Sequence, residues 1–190
     1  MATSNLEAPA AATRQVISLP IDDGLTCLRG LSPQRLRFEL EYALERGSTA
    51  NSFLFDAGRD GEGQRQTALL VHPPGKAYEK AFLPALAGLL PTATTALKVV
   101  VGHVNPNRVA LLRDLAGLYP ELELVASNAG AKLQGEIWSQ RKPAPPGQES
   151  EQPEVPDLPA IQVIRQEQTL SLSHRHQLQL VPAPTPRWPG

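Results

Sequence analysis

Short segments with the pattern of β-strands occupy the first part of the chain. Residues 15–20, 25–30 and 37–43 are short strand-like segments, and residues 50–58 are rich in aromatic and aliphatic side chains and end in a glycine. Runs of this kind, bounded by turn residues, predict strands. The segment TALLVHPPG is apolar until two prolines, which cannot donate to a sheet ladder. It therefore predicts a buried strand that stops at the prolines.

Helical and strand periodicity alternate in the middle of the chain. Residues 76–90 carry apolar side chains at helical spacing, although Pro84 predicts a kink or a break. The continuous aliphatic run of residues 96–103 is typical of a strand in a sheet covered on both faces. A helix is predicted to follow, with Asn105 as its N-cap and Pro106 in its first position. Its apolar face is expected to comprise Val109, Leu112, Leu115, Ala116 and Tyr119.

The remaining periodic segments set the fold class. ELELVAS predicts another strand and GAKLQGEIWSQ another short helix, and three short strands are predicted in IQVIRQ, QTLSLS and HQLQLVPAP. Strands thus follow one another at first and then alternate with helices. This order predicts an α/β layered sandwich.

Two segments lack a folding pattern. Residues 1–14 have neither the basic start nor the apolar centre of a secretion signal, and we expect a disordered leader there. Residues 142–159 are rich in Pro, Glu and Gln, which predicts an exposed and flexible loop.

Composition and charge exclude several classes of function. Basic and acidic residues number 18 and 19 and are well mixed, and aromatic residues make up 5%. A nucleic-acid partner is therefore not expected, because such proteins present a basic stripe with aromatic residues in it. No apolar run reaches the ~18 residues of a membrane helix, so no membrane partner is expected either. The single cysteine, Cys27, excludes an internal disulfide and a cysteine-cluster metal site, and the cytosol is the expected compartment.

The turn HVNPNR has the layout of a site but not the chemistry of a metal centre. It follows a buried strand and opens a helix, where ligands meet the end of the strand and the helix N-terminus together. Its polar residues are His103, Asn105, Asn107 and Arg108. Only His103 is a good ligand for zinc or iron, since the amides offer neutral oxygens and a guanidinium offers no acceptor. This turn should not hold a metal.

Three segments resemble one family in the correct order. ELEYALERGSTANSFLF, VVVGHVNPNRVALL and VPAPTPRWPG are similar to the metallo-β-lactamase-like oxygen-reductase module of flavodiiron proteins, above all the cyanobacterial diflavin flavoproteins. The resemblance covers residues 15–190. It implies an α/β fold that is the first half of an αββα sandwich, so that residues 15–190 would form a partial metallo-β-lactamase-like domain.

The resemblance also locates a degenerate metal site. In the family, an H-x-E-x-D-H turn supplies iron ligands and a later His-Trp-Pro-Asp element supplies another. Here His103 matches the first histidine, but Asn105, Asn107 and Arg108 replace the next three ligands and Arg187 replaces the later histidine. The two arginines could place fixed positive charge where the metals would sit. If Arg108 and Arg187 converge, a small anion or a carboxylate side chain should lie between them.

The family role implied for complete members is electron transfer from NAD(P)H through flavin to oxygen, with FMN and a di-iron centre as cofactors. Neither cofactor is expected in this chain, because the ligands are replaced and no flavin domain is visible. The chain is expected to be a fragment or a subunit that associates with itself or with a full-length flavodiiron protein. Two alternatives stay open: a metal-dependent hydrolase of the metallo-β-lactamase superfamily, and a non-catalytic structural or dimerisation subunit. For His103 a structural role is favoured over metal binding, because the other ligands are missing. His72 falls near the edge of the site in the resemblance, and a role at the end of its strand is favoured there over metal ligation.

Overall fold

The structure is a computed structural model. It describes residues 14–33, 37–38, 42–43, 47–56, 58, 63, 66–92, 96–140, 155–171 and 176–183. Most of the predicted leader and of the Pro-rich loop therefore lies outside the described residues, and both remain predictions. Within the described ranges, no helix is long and apolar enough to cross a membrane.

A seven-stranded sheet forms the centre of the molecule. In chain order, its strands are β1 (Gln15–Asp22), β2 (Leu25–Ser32), β5 (Ser48–Phe55), β6 (Ala68–Val71), β7 (Leu97–Val100), β8 (Leu122–Ser127) and β9 (Ala160–Ile164). The first four pair antiparallel, and β6 to β9 pair parallel in sequence order. Because neighbouring parallel strands need a crossover connection, the chain changes to strand–helix alternation at β6.

Within the described ranges, three α-helices cover one face of this sheet. A 3-10 turn at Lys76–Tyr78 leads into α1 (Glu79–Leu89), and α2 (Pro106–Leu118) and α3 (Asn128–Ser139) follow. The main core lies between these helices and the sheet. It joins sheet residues such as Leu54, Leu70 and Val99 to helix residues such as Phe82 and Leu112, all at most 2% exposed.

The residues that the structure describes cover the opposite face of the sheet only in part. Two further strands, β10 (Gln168–Ser171) and β11 (Gln177–Leu180), pair with each other and not with the main sheet. Leu170 of β10 lines a cavity of about 180 Å³ together with Leu69 and Lys98, which places the small sheet over β6 and β7. By contrast, Ile17 and Phe53 project from this face with 42% and 37% of their surfaces exposed. The arrangement is a helix layer, a large sheet and the beginning of a second sheet, which confirms the predicted α/β fold.

Two details of the predicted elements are wrong. Residues 37–43 do not form one strand: the structure has two strands of two residues each, β3 (Arg37–Phe38) and β4 (Tyr42–Ala43), paired antiparallel. Pro84 does not split its helix, since α1 continues on both sides of it. The proline ring lies on the exposed side of the helix, so that the cost of the lost hydrogen bond is not increased by a clash with the core.

Because Pro84 sits in the interior of α1, replacing it with alanine should stabilise the protein. Alanine restores the backbone N–H that can donate to the carbonyl of Lys80, and it carries no ring. Allowing for the stiffening that proline gives the unfolded chain, we expect Pro84→Ala to raise the free energy of unfolding by about 1–3 kcal/mol. Urea denaturation followed by circular dichroism measures this change.

Gly88→Ala is a matched control in the same helix, since a β-carbon there meets no atom within 4 Å. It should add about 0.5–1 kcal/mol through helix propensity alone. A Pro84→Ala variant that is less stable than the wild type would contradict the assignment of an uninterrupted α1.

Candidate functional site

The turn between β7 and α2 is fixed by its helix cap. Asn105 has an extended backbone, and its Oδ1 accepts a hydrogen bond of 2.9 Å from the backbone N–H of Arg108. Pro106 occupies the first position of α2, where its missing N–H costs nothing. The predicted helix start is therefore confirmed. The amide oxygen of Asn105 already has a backbone donor as its partner.

The side chain of Arg108 turns back from α2 to the end of β6. Its Nη2 lies 2.8 Å from Nε2 of His72, and its Nε donates to the carbonyl oxygen of Pro73 at 3.2 Å. The residue is half-buried, and burial lowers the pKa of its guanidinium. Arg108 thus ties the first turn of α2 to the segment that follows β6.

His72, which the resemblance places near the edge of the site, belongs to it through a contact with Arg108 that the sequence did not predict. It is the only non-glycine among the described residues with a positive φ, at 58°. Its backbone is held on both sides: the N–H donates to Val100 O at 3.1 Å, and the carbonyl accepts from Oγ of the fully buried Ser52 at 2.9 Å. A left-handed conformation of this kind persists only where the surroundings enforce it, and it is frequent at functional sites.

The contact with Arg108 fixes the protonation of His72. A guanidinium has donors only, so Nε2 of His72 must be the acceptor. Accepting this hydrogen bond requires a neutral ring with its proton on Nδ1. Burial lowers the pKa of His72, and the positive charges of Arg108 and then His103 lower it further.

The other predicted site residues are placed as follows. His103 lies in the turn, and its pKa is lowered by burial and then by Arg108, so that it belongs to the same electrostatic cluster. Asn107 is exposed, and its Cβ faces Gly75, where an added β-carbon would come within 3.3 Å of it. Arg187 lies outside the described residues. The structure thus brings together His103 and Arg108, adds His72 and directs Asn105 to the helix cap. The convergence of Arg108 with Arg187 remains a prediction.

A di-iron centre does not fit these residues. Such a centre needs imidazole and carboxylate ligands around each metal. Among the described residues, no group of three or more His, Cys, Asp or Glu side chains could hold a metal ion. Two nearby carboxylates, Glu79 of α1 and Asp114 of α2, form ion pairs with Lys76 at 3.0 Å and 2.7 Å. A cation at the turn would instead meet the permanent positive charge of Arg108.

Sequence comparison points to one group of proteins. The chain is 39% identical over 176 residues, 92% of its length, to diflavin flavoprotein A 6 of Nostoc sp.. The chain is a relative of the diflavin flavoproteins. It spans only about a quarter of their length: 26% of that protein and 27% of diflavin flavoprotein A 4 of Nostoc sp., to which it is 36% identical. No protein-family model matches the chain.

Comparison of the fold with solved structures finds proteins of the same group. A metal-soaked Flv1 flavodiiron core from Synechocystis sp. superposes with a TM-score of 0.74 at 31% identity, over 94% of this chain and 38% of that one. A fragment of diflavin flavoprotein A 5 from Nostoc sp. gives 0.71 at 32% identity, over 93% of this chain and 60% of that one. These similarities confirm that the chain has the flavodiiron core fold that the sequence predicts.

The lowered pKa values of His72 and His103 predict how the stability of the protein depends on pH. His72 and His103 have pKa values lowered from 6.5 in the folded state, so the unfolded chain takes up protons more readily below that pH. Their contribution to stability is fully present above pH 6.5 and is lost as the pH falls from there towards the folded pKa values. We expect the free energy of unfolding, measured by urea denaturation, to decline over this window.

His72→Asn is the comparison variant, because asparagine tolerates a left-handed backbone but does not titrate. Its stability should decline less steeply than that of the wild type below pH 6.5. Parallel declines in the two proteins would show that His72 is not held neutral in the folded state.

Proposed function

We propose that the chain is a non-catalytic part of a flavodiiron-type protein, corresponding to the first half of its oxygen-reductase module. The role proposed for the complete protein is electron transfer from NAD(P)H through flavin to oxygen, with FMN and di-iron as its cofactors. The relatives named diflavin flavoproteins and the flavodiiron core fold support this family role. The cytosol is the proposed compartment, which suits a chain with one cysteine.

One observation carries the non-catalytic part of the proposal. Arg108, at a position that the resemblance assigns to a metal-binding histidine, donates its Nη2 to the ring nitrogen of His72 at 2.8 Å. The cap position Asn105, which the resemblance assigns to a glutamate ligand, uses its oxygen for the backbone of α2. Residues arranged in this way support a stable turn without metal and offer no chemistry for the reduction of oxygen.

The proposed partner is a full-length diflavin flavoprotein or a second copy of the chain. The partly covered face of the main sheet, with Ile17 and Phe53 exposed, supports association, since large exposed apolar side chains on a sheet face favour burial. The covered part of this face carries β10 and β11, so a partner would occupy the region beside them.

Association and activity can be tested together. The purified chain is mixed with the full-length diflavin flavoprotein of its own organism, and sedimentation velocity and NADH- or NADPH-dependent oxygen consumption are measured. We expect a complex that depends on Phe53, weakened by Phe53→Ser, and no oxygen consumption by the chain alone after incubation with iron(II) and FMN. Leu118→Ser is the control, because Leu118 on α2 is 39% exposed and Phe53 is 37% exposed. This variant should leave association unchanged. Iron-dependent oxygen consumption by the chain alone would overturn the proposal.

A further inference from the structure

The contact between Arg108 and His72 uses the lone pair with which a histidine binds a metal. A neutral imidazole has one such lone pair, and in His72 it lies on Nε2 because Arg108 can only donate to it. An imidazole that accepts from a guanidinium cannot coordinate a cation through the same nitrogen. The hydrogen bond therefore removes His72 from any set of metal ligands.

Arg108 is fixed at its backbone as well as at its guanidinium. Its N–H is bound by Asn105 Oδ1, and its Nε reaches Pro73 O, the carbonyl next to His72. Two hydrogen bonds, from Nε to Pro73 O and from Nη2 to His72, thus hold the side chain across the gap between the end of β6 and the start of α2, and a third fixes its backbone. The guanidinium is planar and keeps its charge at any ordinary pH, so that it is a permanent cation at this place.

The backbone of His72 positions its ring to accept the hydrogen bond from Arg108. Its left-handed backbone, with φ at 58°, is held by Val100 and Ser52, and the strained residue presents Nε2 to α2. Gly102 lies beside the other side of the ring, where a β-carbon would be in ordinary van der Waals contact with Nδ1 of His72 at 3.5 Å. The positive charge of Arg108 reaches His103 as well, and it favours the neutral form of both imidazoles.

We propose that the guanidinium of Arg108 takes the place of a metal cation, with Nε2 of His72 as its hydrogen-bond acceptor. This pair prevents divalent metals from binding at the site. The charge that bound metals would supply comes from within the chain. His72 is a positioning residue in this arrangement, since it acts by holding Arg108. The inference deepens the proposed non-catalytic role and rests on it, but it concerns the site alone and not the partner.

The first test uses the wild-type chain and needs no variant. Nitrogen-15 NMR of the histidine rings distinguishes a ring protonated on Nδ1 from one protonated on Nε2. We expect His72 to be neutral with its proton on Nδ1 at pH 7.5. A proton on Nε2, or a doubly protonated ring, would overturn the proposal, because neither can accept a hydrogen bond from Arg108.

The second test measures binding of Zn²⁺ alone by isothermal titration calorimetry. Arg108→His removes the fixed charge and supplies an imidazole, and it should bind Zn²⁺ at least about tenfold more tightly than the wild type. Adding His72→Asn to this variant should abolish the gain. Arg29→Gln, which removes an exposed arginine of β2 hydrogen-bonded to Asn51, is the charge control and should show no gain.

Two results would overturn the proposal that Arg108 and His72 exclude divalent metals from the site. One is wild-type binding of Zn²⁺ that is lost in His72→Asn. The other is a folded Arg108→His variant, verified by circular dichroism, that binds Zn²⁺ no better than the wild type. Failure of the chain to associate with a diflavin flavoprotein would overturn the proposed partner and leave this inference standing.

Discussion

A triple variant carrying Asn105→Glu, Asn107→Asp and Arg108→His is expected to bind iron(II) or zinc about a hundredfold or more tightly than the wild type. The loss of even the outer partners of a metal site costs 10–100-fold in affinity, and this variant restores direct ligands. The three substitutions recreate the H-x-E-x-D-H pattern that begins at His103. They also remove the positive charge of Arg108 and release His72 from its hydrogen bond.

The gain in metal affinity should be accompanied by a loss of stability without metal. Asn105 caps α2 through its Oδ1, and the longer glutamate side chain is a poorer N-cap. The metal-free triple variant should therefore be about 0.5–2 kcal/mol less stable than the wild type, and metal should recover that difference. Thermal unfolding with and without zinc measures both changes.

The double variant Asn105→Glu, Asn107→Asp is the control for the role of Arg108. It provides two carboxylates but leaves the guanidinium in place, where it can pair with them instead of a metal. We expect little gain in zinc affinity. If the double variant binds zinc as tightly as the triple variant, Arg108 does not exclude metals and the account of the site is wrong.

Replacing Phe82 with alanine should lower the free energy of unfolding by about 3–5 kcal/mol. Phe82 is 1% exposed on the inner side of α1, in the core between the helices and the main sheet. Removing the ring loses its burial and leaves a cavity that the close-packed neighbours can fill only in part. Because α1 covers the strands that precede His72, we expect this variant to disturb the site as well.

Leu118→Ala is the matched control for this core prediction. It also shortens an apolar helix side chain, but 39% of Leu118 is exposed, and its loss should cost less than about 1 kcal/mol. Urea denaturation of both variants compares them directly. Similar losses in the two proteins would contradict the packing of α1 on the sheet.

Local signals explain which parts of the fold could be predicted from the sequence. Two adjacent residues predict the start of α2, Asn105 as its N-cap and Pro106 in its first position, and the structure has both in these places. The buried strands follow from short aliphatic runs, as in β7 and β8. Pro84 does not split its helix, one of the two outcomes expected for it, because the packing of α1 against the core outweighs the hydrogen bond that the proline removes.

The candidate site was predictable only in its local part. The turn from His103 to Arg108 is contiguous in the chain, and its residue types alone argue against a metal. The role of His72 depends on a contact with Arg108 across 36 positions, which arises only when β6 and β7 pair in parallel and bring the two loops together. The sequence offered a histidine directly before two prolines, near the edge of the site in the resemblance, and neither signal revealed the left-handed backbone.

The metal content of the wild-type chain tests the central claim most directly. The protein is purified without an affinity tag, incubated with iron(II) under anaerobic conditions, desalted and analysed by mass spectrometry for iron and zinc per chain. We expect that almost no metal is retained, because Arg108 occupies the place of the cation. One or two tightly held metal ions per chain, lost on substitution of His72 or His103, would contradict it.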